Sequence, residues 1–162
     1  MYGVDGKKLS SWYKYFLSRY QGWEQLHHAS EYVLFKENLG ERLSMDETSL
    51  SQGELYTIIT NKSAHGGKGS LVAMIKGTKS EDVIYYLNHL PRTKRLKVKE
   101  ITIDLSPSMR LIAKQAFPNA TIVSDRFHVQ KLMNEAVSDL RVDLRWQAID
   151  QENKEIALAK EL

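Results

Sequence analysis

The sequence predicts an α/β fold, a mixed five-stranded sheet with flanking helices, because the period of its apolar residues changes once along the chain. Between Arg42 and Ile75, apolar and polar residues alternate with a period of two, and turn residues interrupt the alternation twice, as in an antiparallel meander. From Thr78 onward, apolar residues recur every three to four positions between two short apolar runs. A meander that feeds a strand–helix–strand unit predicts antiparallel strands followed by parallel strands, with helices on the sheet faces.

The individual elements follow from these periods and from their end signals. The predicted strands are Arg42–Leu50, Leu55–Thr60, Leu71–Ile75, Val98–Asp104 and Ala120–Asp125. The predicted helices run from the capping box of Thr78 and Glu81 to Pro91, from the cap Ser106 and Pro107 to Pro118, and from about Phe127 to Ala148. The last two strands, joined by a helix, should be parallel with a right-handed crossover.

The first 40 residues predict an N-terminal helical segment. Large apolar side chains recur at helical spacing within residues 8–28, and Gly22 is a stop signal. They are Leu9, Trp12, Tyr13, Phe16, Leu17 and Tyr20. Aromatic rings among lysines can stack on nucleic-acid bases, but a stripe at this spacing is more often core, and we expect it to be core here.

Composition excludes several classes of protein. The 162 residues include no cysteine, which removes disulfides and zinc–thiolate sites and fits a reducing, cytoplasmic compartment. No run approaches the ~20 apolar residues of a membrane span, and the N-terminus lacks the apolar stretch of a signal peptide. The apolar fraction of 42% is enough for a core, and the net charge of +3 permits a nucleic-acid partner without requiring one.

The loop "NKSAHGGKGS" resembles a phosphate-binding loop only superficially. That motif needs a glycine five residues before its Gly-Lys pair, and a Ser or Thr directly after the lysine at the start of a helix. Here Lys62 stands at the first position, Gly69 follows Lys68, and a strand comes next. We therefore read the segment as a hairpin connection.

Three aspartates stand at chemically suggestive points of the predicted sheet. Asp46 lies in the middle of the first strand, where acidic residues are disfavoured. Asp104 and Asp125 end the fourth and fifth strands, and ligands of open α/β sheets bind at such carboxyl ends. The alternative for Asp104 and Asp125 is that each only complements the dipole of the helix that follows. That alternative is weaker for Asp104, because Ser106 already supplies a cap.

Basic residues are concentrated in one short run. Arg92, Lys94, Arg95, Lys97 and Lys99 fall within "PRTKRLKVKE". Composition alone favours a solvated turn and strand edge. The functional alternative is a rim that faces nucleic-acid phosphates.

Several segments resemble DDE-type transposases of bacterial insertion sequences, in particular the ISL3-like group and a branch whose transposase is split into two reading frames. They are "LSMDETSLSQGELYTIITNK", "VAMIKGTKSEDV", "LKVKEITIDLSPSM", "AFPNATIVSDRFHVQKL" and "RWQAID". The resemblance covers the chain from about Tyr2 to Glu155. It implies a ribonuclease H-like fold and a metal-dependent enzyme that cleaves DNA strands and transfers them.

The resemblance also implies roles for individual residues. Asp46 matches the first catalytic acid and Asp104 the second, and in that fold their strands are parallel neighbours. Asp125 and His128 are additional candidates, and Arg126 joins the basic run as a candidate DNA-binding residue. Two carboxylates about 4 Å apart repel by roughly 4 kcal/mol at an effective dielectric of 20. Oxygen ligands without cysteine fit Mg²⁺ or Mn²⁺, with two ions expected in a complete site.

The third acid of the family, a glutamate on a later helix, has no match in this sequence. The last strand is followed by Glu135, Asp139, Glu152 and Glu155, and none has neighbours that match the position of that glutamate. We therefore expect residues 1–40 to form the N-terminal segment, 41–150 the first part of the catalytic core, and 151–162 a helical tail that ends before the third acid.

Two other functions remain open on the sequence alone. The chain can be a non-catalytic DNA-binding or regulatory transposase fragment, inactive alone, or a ribonuclease H-like nuclease unrelated to transposition. The expected partners are transposon ends and target DNA, together with a second copy or another transposase subunit, and no membrane. The expected location is the cytoplasm, in association with the nucleoid.

Overall fold

The structure is a computed structural model that describes residues 5–18, 20–50 and 53–161. It divides into two units, one ending at Val123 and the other beginning at Ser124. The sheet as far as Val123 and its covering helices belong to the first unit, and a single long helix makes up nearly all of the second.

A mixed sheet organises the first unit. Its strands are β1 (Tyr32–Leu34), β2 (Arg42–Ser49), β3 (Leu55–Asn61), β4 (Leu71–Lys76), β5 (Glu100–Ile103) and β6 (Thr121–Ser124), in the order β1-β4-β3-β2-β5-β6. The β2–β3, β3–β4 and β1–β4 pairs are antiparallel, whereas β2–β5 is parallel. The predicted meander and the mixed α/β sheet of a ribonuclease H-like domain are therefore confirmed.

The sheet contains one more strand than the sequence predicts. Tyr32–Leu34 pairs with Ala73–Ile75 at the edge of the sheet, in a segment whose pattern indicated only a short helix and a loop. Three residues are too few to show an alternating period, so the pairing partner rather than the local pattern determines this strand.

Five α-helices accompany the sheet within the described residues: α1 (Gly6–Trp12), α2 (Ser80–Leu87), α3 (Arg92–Arg95), α4 (Pro107–Ala116) and α5 (Arg126–Glu161). The basic run was predicted as a solvated turn and strand edge. Its first part, Arg92–Arg95, forms α3 instead, and Lys97 and Lys99 lie between α3 and β5. The helix α5 extends well beyond the predicted end at Ala148. No helix in the described part of the chain is both long and apolar enough to cross a membrane.

The core lies on one face of the sheet, beneath α2 and α4. Alternate residues of β2 and β5 face these helices, and both sides of the contact are fully or almost fully buried. The sheet contributes Leu43, Met45, Ile101 and Ile103, and the helices contribute Val83, Leu87, Met109 and Ile112. Because strand side chains alternate between faces, the residues between these on β2 and β5 face away from this core.

The N-terminal segment forms shorter helical pieces than the single helix predicted, and the expectation that its apolar stripe is core is wrong. The helix α1 ends at Trp12, a π-helical turn covers Tyr13–Leu17, and 3-10 turns follow at Tyr20–Gly22 and Leu26–His28. Trp12 is 62% exposed and Phe16 77% exposed. Helical periodicity shows that a face is apolar, but it does not show what covers that face.

Two predicted helix caps also differ from the structure. Lys79, not Thr78, is the N-cap residue of α2, and no side-chain hydrogen bond caps that helix. Ser106 does occupy the N-cap position of α4, with Pro107 at the first helical position, yet its hydroxyl makes no capping bond. The Ser106 Oγ instead lies 2.6 Å from the Ser108 Oγ. The amide of Ser106 is bonded to Asp104, which gives that aspartate a local structural contact.

Candidate active site

The parallel ladder between β2 and β5 sets the positions of the two predicted catalytic aspartates. Ser44 pairs with Thr102 in this ladder. This is the last pair of the ladder. Asp46 lies two residues after Ser44 and Asp104 two residues after Thr102, so the same register continued by two residues would bring the two acids level. Adjacent strands lie about 4.8 Å apart. The predicted parallel neighbours are confirmed, and a carboxylate separation of about 4–7 Å, the range suited to a shared metal pair, stays a prediction.

Asp46 lies on the side of β2 that faces away from the core. Leu43 and Met45 are buried, whereas Asp46 is exposed and pairs across the sheet with Ile58 of β3. Its Oδ1 accepts a hydrogen bond of 2.8 Å from the amide of Glu47. We call this side of β2 and β5, which carries Arg42, Ser44 and Asp46 on β2 and Glu100 and Thr102 on β5, the polar face.

Asp104 follows the last residue of β5 and is half-buried. Its Oδ1 accepts a hydrogen bond of 2.8 Å from the amide of Ser106, which closes the turn into α4. This bond fixes the carboxyl group where the strand ends, and the second carboxylate oxygen has no bond to a described residue. The aspartate can therefore serve the turn and still offer an oxygen ligand.

A third acid, Glu47, lies near Asp46 and Asp104, and the sequence analysis did not identify it as a site residue. It is half-buried and pairs across the sheet with the fully buried Thr57. Burial raises the pKa of the Glu47 carboxyl, and the negative charges of Asp104 and Asp46 raise that pKa further. The alternation that places Leu43 and Met45 inward also places Glu47 inward, and an acid at a core-facing strand position was the available signal.

The three acids carry the type of ligand atom that a hard divalent cation prefers, but they do not form a complete set of ligands. Asp46, Asp104 and Glu47 offer only carboxylate oxygens, the donors that Mg²⁺ and Mn²⁺ prefer. The pKa of Glu47 is raised first by burial and then by the charges of the two aspartates, so Glu47 lies near enough to feel both. Nevertheless, within residues 5–18, 20–50 and 53–161, no three His, Asp or Glu side chains are grouped so that they could hold an ion. A cation here would depend on water or on groups from the substrate for its other ligands.

The additional candidates Asp125 and His128 lie at the start of α5, in the second unit. Asp125 Oδ1 accepts a hydrogen bond of 2.9 Å from the amide of Phe127, as a helix-start residue does. Asp125 Oδ2 lies 3.4 Å from His128 Nδ1. This contact lacks hydrogen-bond geometry, so Nδ1 is buried without a bond to any described residue. The neighbouring Arg126 guanidinium lies 5.7 Å from the centre of the Phe127 ring.

The basic run divides into structural and exposed residues. Arg95 is only 9% exposed, and its Nε and Nη1 donate to the carbonyls of Leu90 and Ala116 at 3.2 and 2.7 Å. A guanidinium committed in this way cannot reach DNA, so Arg95 is removed from the candidate DNA-binding residues. Its pKa is lowered by burial and then by the charge of Arg92.

The other basic side chains of the run are exposed. Lys99 Nζ pairs with Glu41 at 2.8 Å, and Lys94 Nζ donates to the carbonyl of Lys36 at 2.8 Å. Arg92 and Lys97 are exposed on α3 and directly after it. These four residues keep their charge at the surface and remain candidates for phosphate contacts.

Comparison with known proteins gives one finding. A family model described as a transposase, of the DDE type and the ISL3 group, matches residues 43–162. The match begins at the first buried residue of β2 and includes both strands of the aspartate pair. No curated protein matches the chain.

Proposed function

The chain belongs to the ISL3 family of DDE transposases, and from this premise we propose that Asp46 and Asp104 are its first two catalytic acids. The reaction is metal-dependent cleavage of DNA strands and their transfer to target DNA. Members of the family generally use divalent metal ions and act on DNA. The proposal therefore concerns which residues of this chain take part and what each one does.

The register between β2 and β5 is the observation that carries the proposal. It pairs Ser44 with Thr102, and each of these residues stands two positions before one of the aspartates, which supports the proposal that the two acids meet. Among the described residues neither acid forms an ion pair, and the ion pairs on the polar face belong to Glu100. Acids gathered without a cationic partner are what a metal-binding site requires.

Each acid has a separate part in this arrangement. Asp46 projects from the polar face with one oxygen held by its neighbour's amide, and Asp104 is fixed by the turn into α4. Asp46 and Asp104 would hold the divalent ions, which would supply activation of a water or 3′-hydroxyl and stabilisation of the leaving oxygen in an in-line phosphoryl transfer. Glu47 adds negative charge beside both acids and so increases the attraction for a cation.

A second candidate function is supported by the ligand count. Because the described residues contain no group of three metal-ligating side chains, a non-catalytic role in DNA binding or in regulation by pairing with a complete transposase remains the alternative. DNA ends, target DNA and a second copy or other transposase subunit are the proposed partners under either function. We propose that the protein lies in the cytoplasm, in association with the nucleoid.

Metal binding separates the two functions without depending on turnover. Mg²⁺ or Mn²⁺ should raise the melting temperature of the chain, since an ion that binds only the folded arrangement stabilises it. Asp46→Asn and Asp104→Asn should each remove most of this response, whereas Asp82→Asn, an exposed acid on α2, should retain it. Equal responses in all four proteins would contradict a metal site at the aspartate pair and favour the binding role.

A further inference from the structure

A basic cleft lies at the opposite end of the polar face from the aspartate pair. It has a volume of about 360 Å³ and is lined by Arg42, Lys62, Ser63 and His65. Arg42 begins β2, and the other three residues belong to the connection between β3 and β4. The sequence pattern predicts none of these four as site residues, since the glycine-rich loop that contains three of them lacks the spacing of a phosphate-binding loop.

The connection holds its side chains by a fixed backbone. Asn61 Oδ1 accepts a hydrogen bond of 3.0 Å from the amide of Ser63, and the amide of His65 donates to the Lys62 carbonyl at 3.2 Å. His65 has a φ of 49°, and no other described residue except glycine has a positive φ. Such a conformation is strained for a residue with a side chain and persists where the surroundings impose it, often at ligand sites.

The cleft carries surplus positive charge. Lys62 Nζ lies 2.8 Å from Glu100 Oε1 and donates to Thr102 Oγ1 at 3.0 Å. Arg42 Nε lies 4.0 Å from the other oxygen of the same carboxylate, and the Arg42 side chain is 69% exposed. Two cations therefore share one acid, and the hydrogen bond from Lys62 holds the pKa of Glu100 below its usual value. One positive charge is left over for an external anion.

The cleft and the aspartate pair lie on one line. Arg42, Ser44 and Asp46 are alternate residues of β2 on the polar face. The first and the last are four residue steps apart along the strand, which is about 13 Å. A DNA strand rises about 3.4 Å per nucleotide when stacked, so this distance corresponds to about four nucleotide steps. A polyanion approaching the acids is repelled by them, and a cation at this distance offsets that repulsion.

We propose that the basic cleft binds a backbone phosphate of the DNA strand that enters the active site, a few nucleotides away from the aspartate pair. Arg42 and Lys62 supply the charge, and Ser63 and His65 supply polar groups that can donate to phosphate oxygens. The inference rests on the proposed function for the nature of the strand. It adds a site on the polar face to the exposed basic residues of α3.

The test is equilibrium binding of a fluorescently labelled single-stranded oligonucleotide, measured by anisotropy in EDTA over a range of salt concentrations. Losing one phosphate contact should reduce the salt slope by about 0.7 and the affinity by about fivefold near 0.1 M salt. The variant Arg42→Ala/Lys62→Ala should show this loss. The control Arg110→Ala/Lys114→Ala removes the same charge from exposed positions on α4, which covers the other face of the sheet, and should lose much less.

A second variant guards against simple misfolding. Glu100→Gln removes the acid that competes for Arg42 and Lys62, so it should tighten oligonucleotide binding about threefold to fivefold. A destabilised protein would not bind more tightly. Equal losses in the two double variants, or no gain in Glu100→Gln, would overturn the inference.

The result is independent of whether the aspartate pair holds metal. Loss of binding in Arg42→Ala/Lys62→Ala together with an absent metal response would support the cleft and contradict the proposed catalytic site. The opposite result is a normal metal response that is lost in Asp46→Asn, together with unchanged oligonucleotide binding in Arg42→Ala/Lys62→Ala. It would support the proposed catalytic site and contradict the cleft.

Discussion

Glu47 shows how the charge of one residue links the fold to the site. Its raised pKa, caused first by burial and then by Asp104 and Asp46, means that the folded protein resists the charged form. The group therefore contributes its full share of stability below about pH 4.3, the usual value for glutamate. That share is lost as the pH rises through the higher pKa of the folded state.

The first prediction concerns the pH dependence of stability. Without divalent metal, Glu47→Gln should melt at a higher temperature than the unsubstituted protein at pH 8, because a neutral side chain avoids the repulsion. The difference should disappear near pH 4. Thermal melts at both values test this, with the exposed Glu81→Gln as a matched control. A gain of equal size at both pH values would show that repulsion is not its cause.

A second residue-scale prediction separates the two arginines of α3. Arg95→Ala leaves the buried carbonyls of Leu90 and Ala116 without donors, and should lower the free energy of unfolding by about 2–4 kcal/mol. Arg92→Ala, at an exposed position, should change the free energy of unfolding by no more than about 0.5 kcal/mol but should weaken DNA binding. Urea denaturation compares the two variants, and a similar loss of stability in both would contradict the assigned division.

At the scale of elements, period and end signals predict the central part of the sheet well. The strands β2, β3 and β4 were recognised from alternation, and α2 and α4 from their apolar stripes. The predictions that failed concern features that depend on contacts with distant parts of the chain. The strand β1, for example, forms only because β4 pairs with it. The burial of Arg95 likewise depends on the carbonyl of Ala116, and no local pattern encodes that contact.

The edge strand β1 provides the third prediction. The Gln25 amide donates to the Leu34 carbonyl at 2.8 Å and accepts from the Leu34 amide at 2.7 Å, so a side chain satisfies the backbone at the sheet edge. Gln25→Ala should cost about 1–2 kcal/mol and promote self-association through the uncovered edge. Denaturation and light scattering test both effects, and Gln115→Ala, exposed on α4, is the control. Unchanged stability and scattering would show that this contact does not protect the edge.

The same reasoning applies to the site, whose parts were predictable to different degrees. Asp46 and Asp104 could be found because their strands are recognisable and the resemblance aligned both positions. Glu47 was visible only as an acid at an inward position. The cleft of Arg42 and Lys62 could not be found, because it is assembled from the start of β2 and a connection whose backbone conformation the sequence does not reveal.

At the scale of the whole molecule, the family and its fold are established, whereas activity depends on how many ligands this chain supplies. An ion held by two aspartates keeps most of its waters and positions reacting groups poorly. Imprecise placement can cost a hundredfold or more in rate. We therefore expect the 162-residue chain to bind DNA weakly, with strong salt dependence, and not to nick supercoiled plasmid robustly with Mn²⁺.

Robust nicking that is abolished by Asp104→Ala would contradict this expectation. It would mean that a third ligand lies within the chain, and Glu135, Asp139 and Asp125 would then be the positions to substitute. The comparison must be made with equal amounts of folded protein, so that a loss of nicking is not caused by a loss of fold. Nicking that persists in Asp104→Ala would come from a contaminating nuclease.

The measurement that tests the central claim most directly is a Mn²⁺ titration of the unsubstituted chain, Asp46→Asn, Asp104→Asn and Asp82→Asn, followed by the electron paramagnetic resonance of free Mn²⁺. If Asp46 and Asp104 form one site, the unsubstituted chain and Asp82→Asn should bind the ion alike. Each substitution in the pair should weaken binding by at least about tenfold, because removing one of two charged ligands costs upwards of 1.4 kcal/mol. Retention of full Mn²⁺ affinity by both Asp46→Asn and Asp104→Asn would contradict the account.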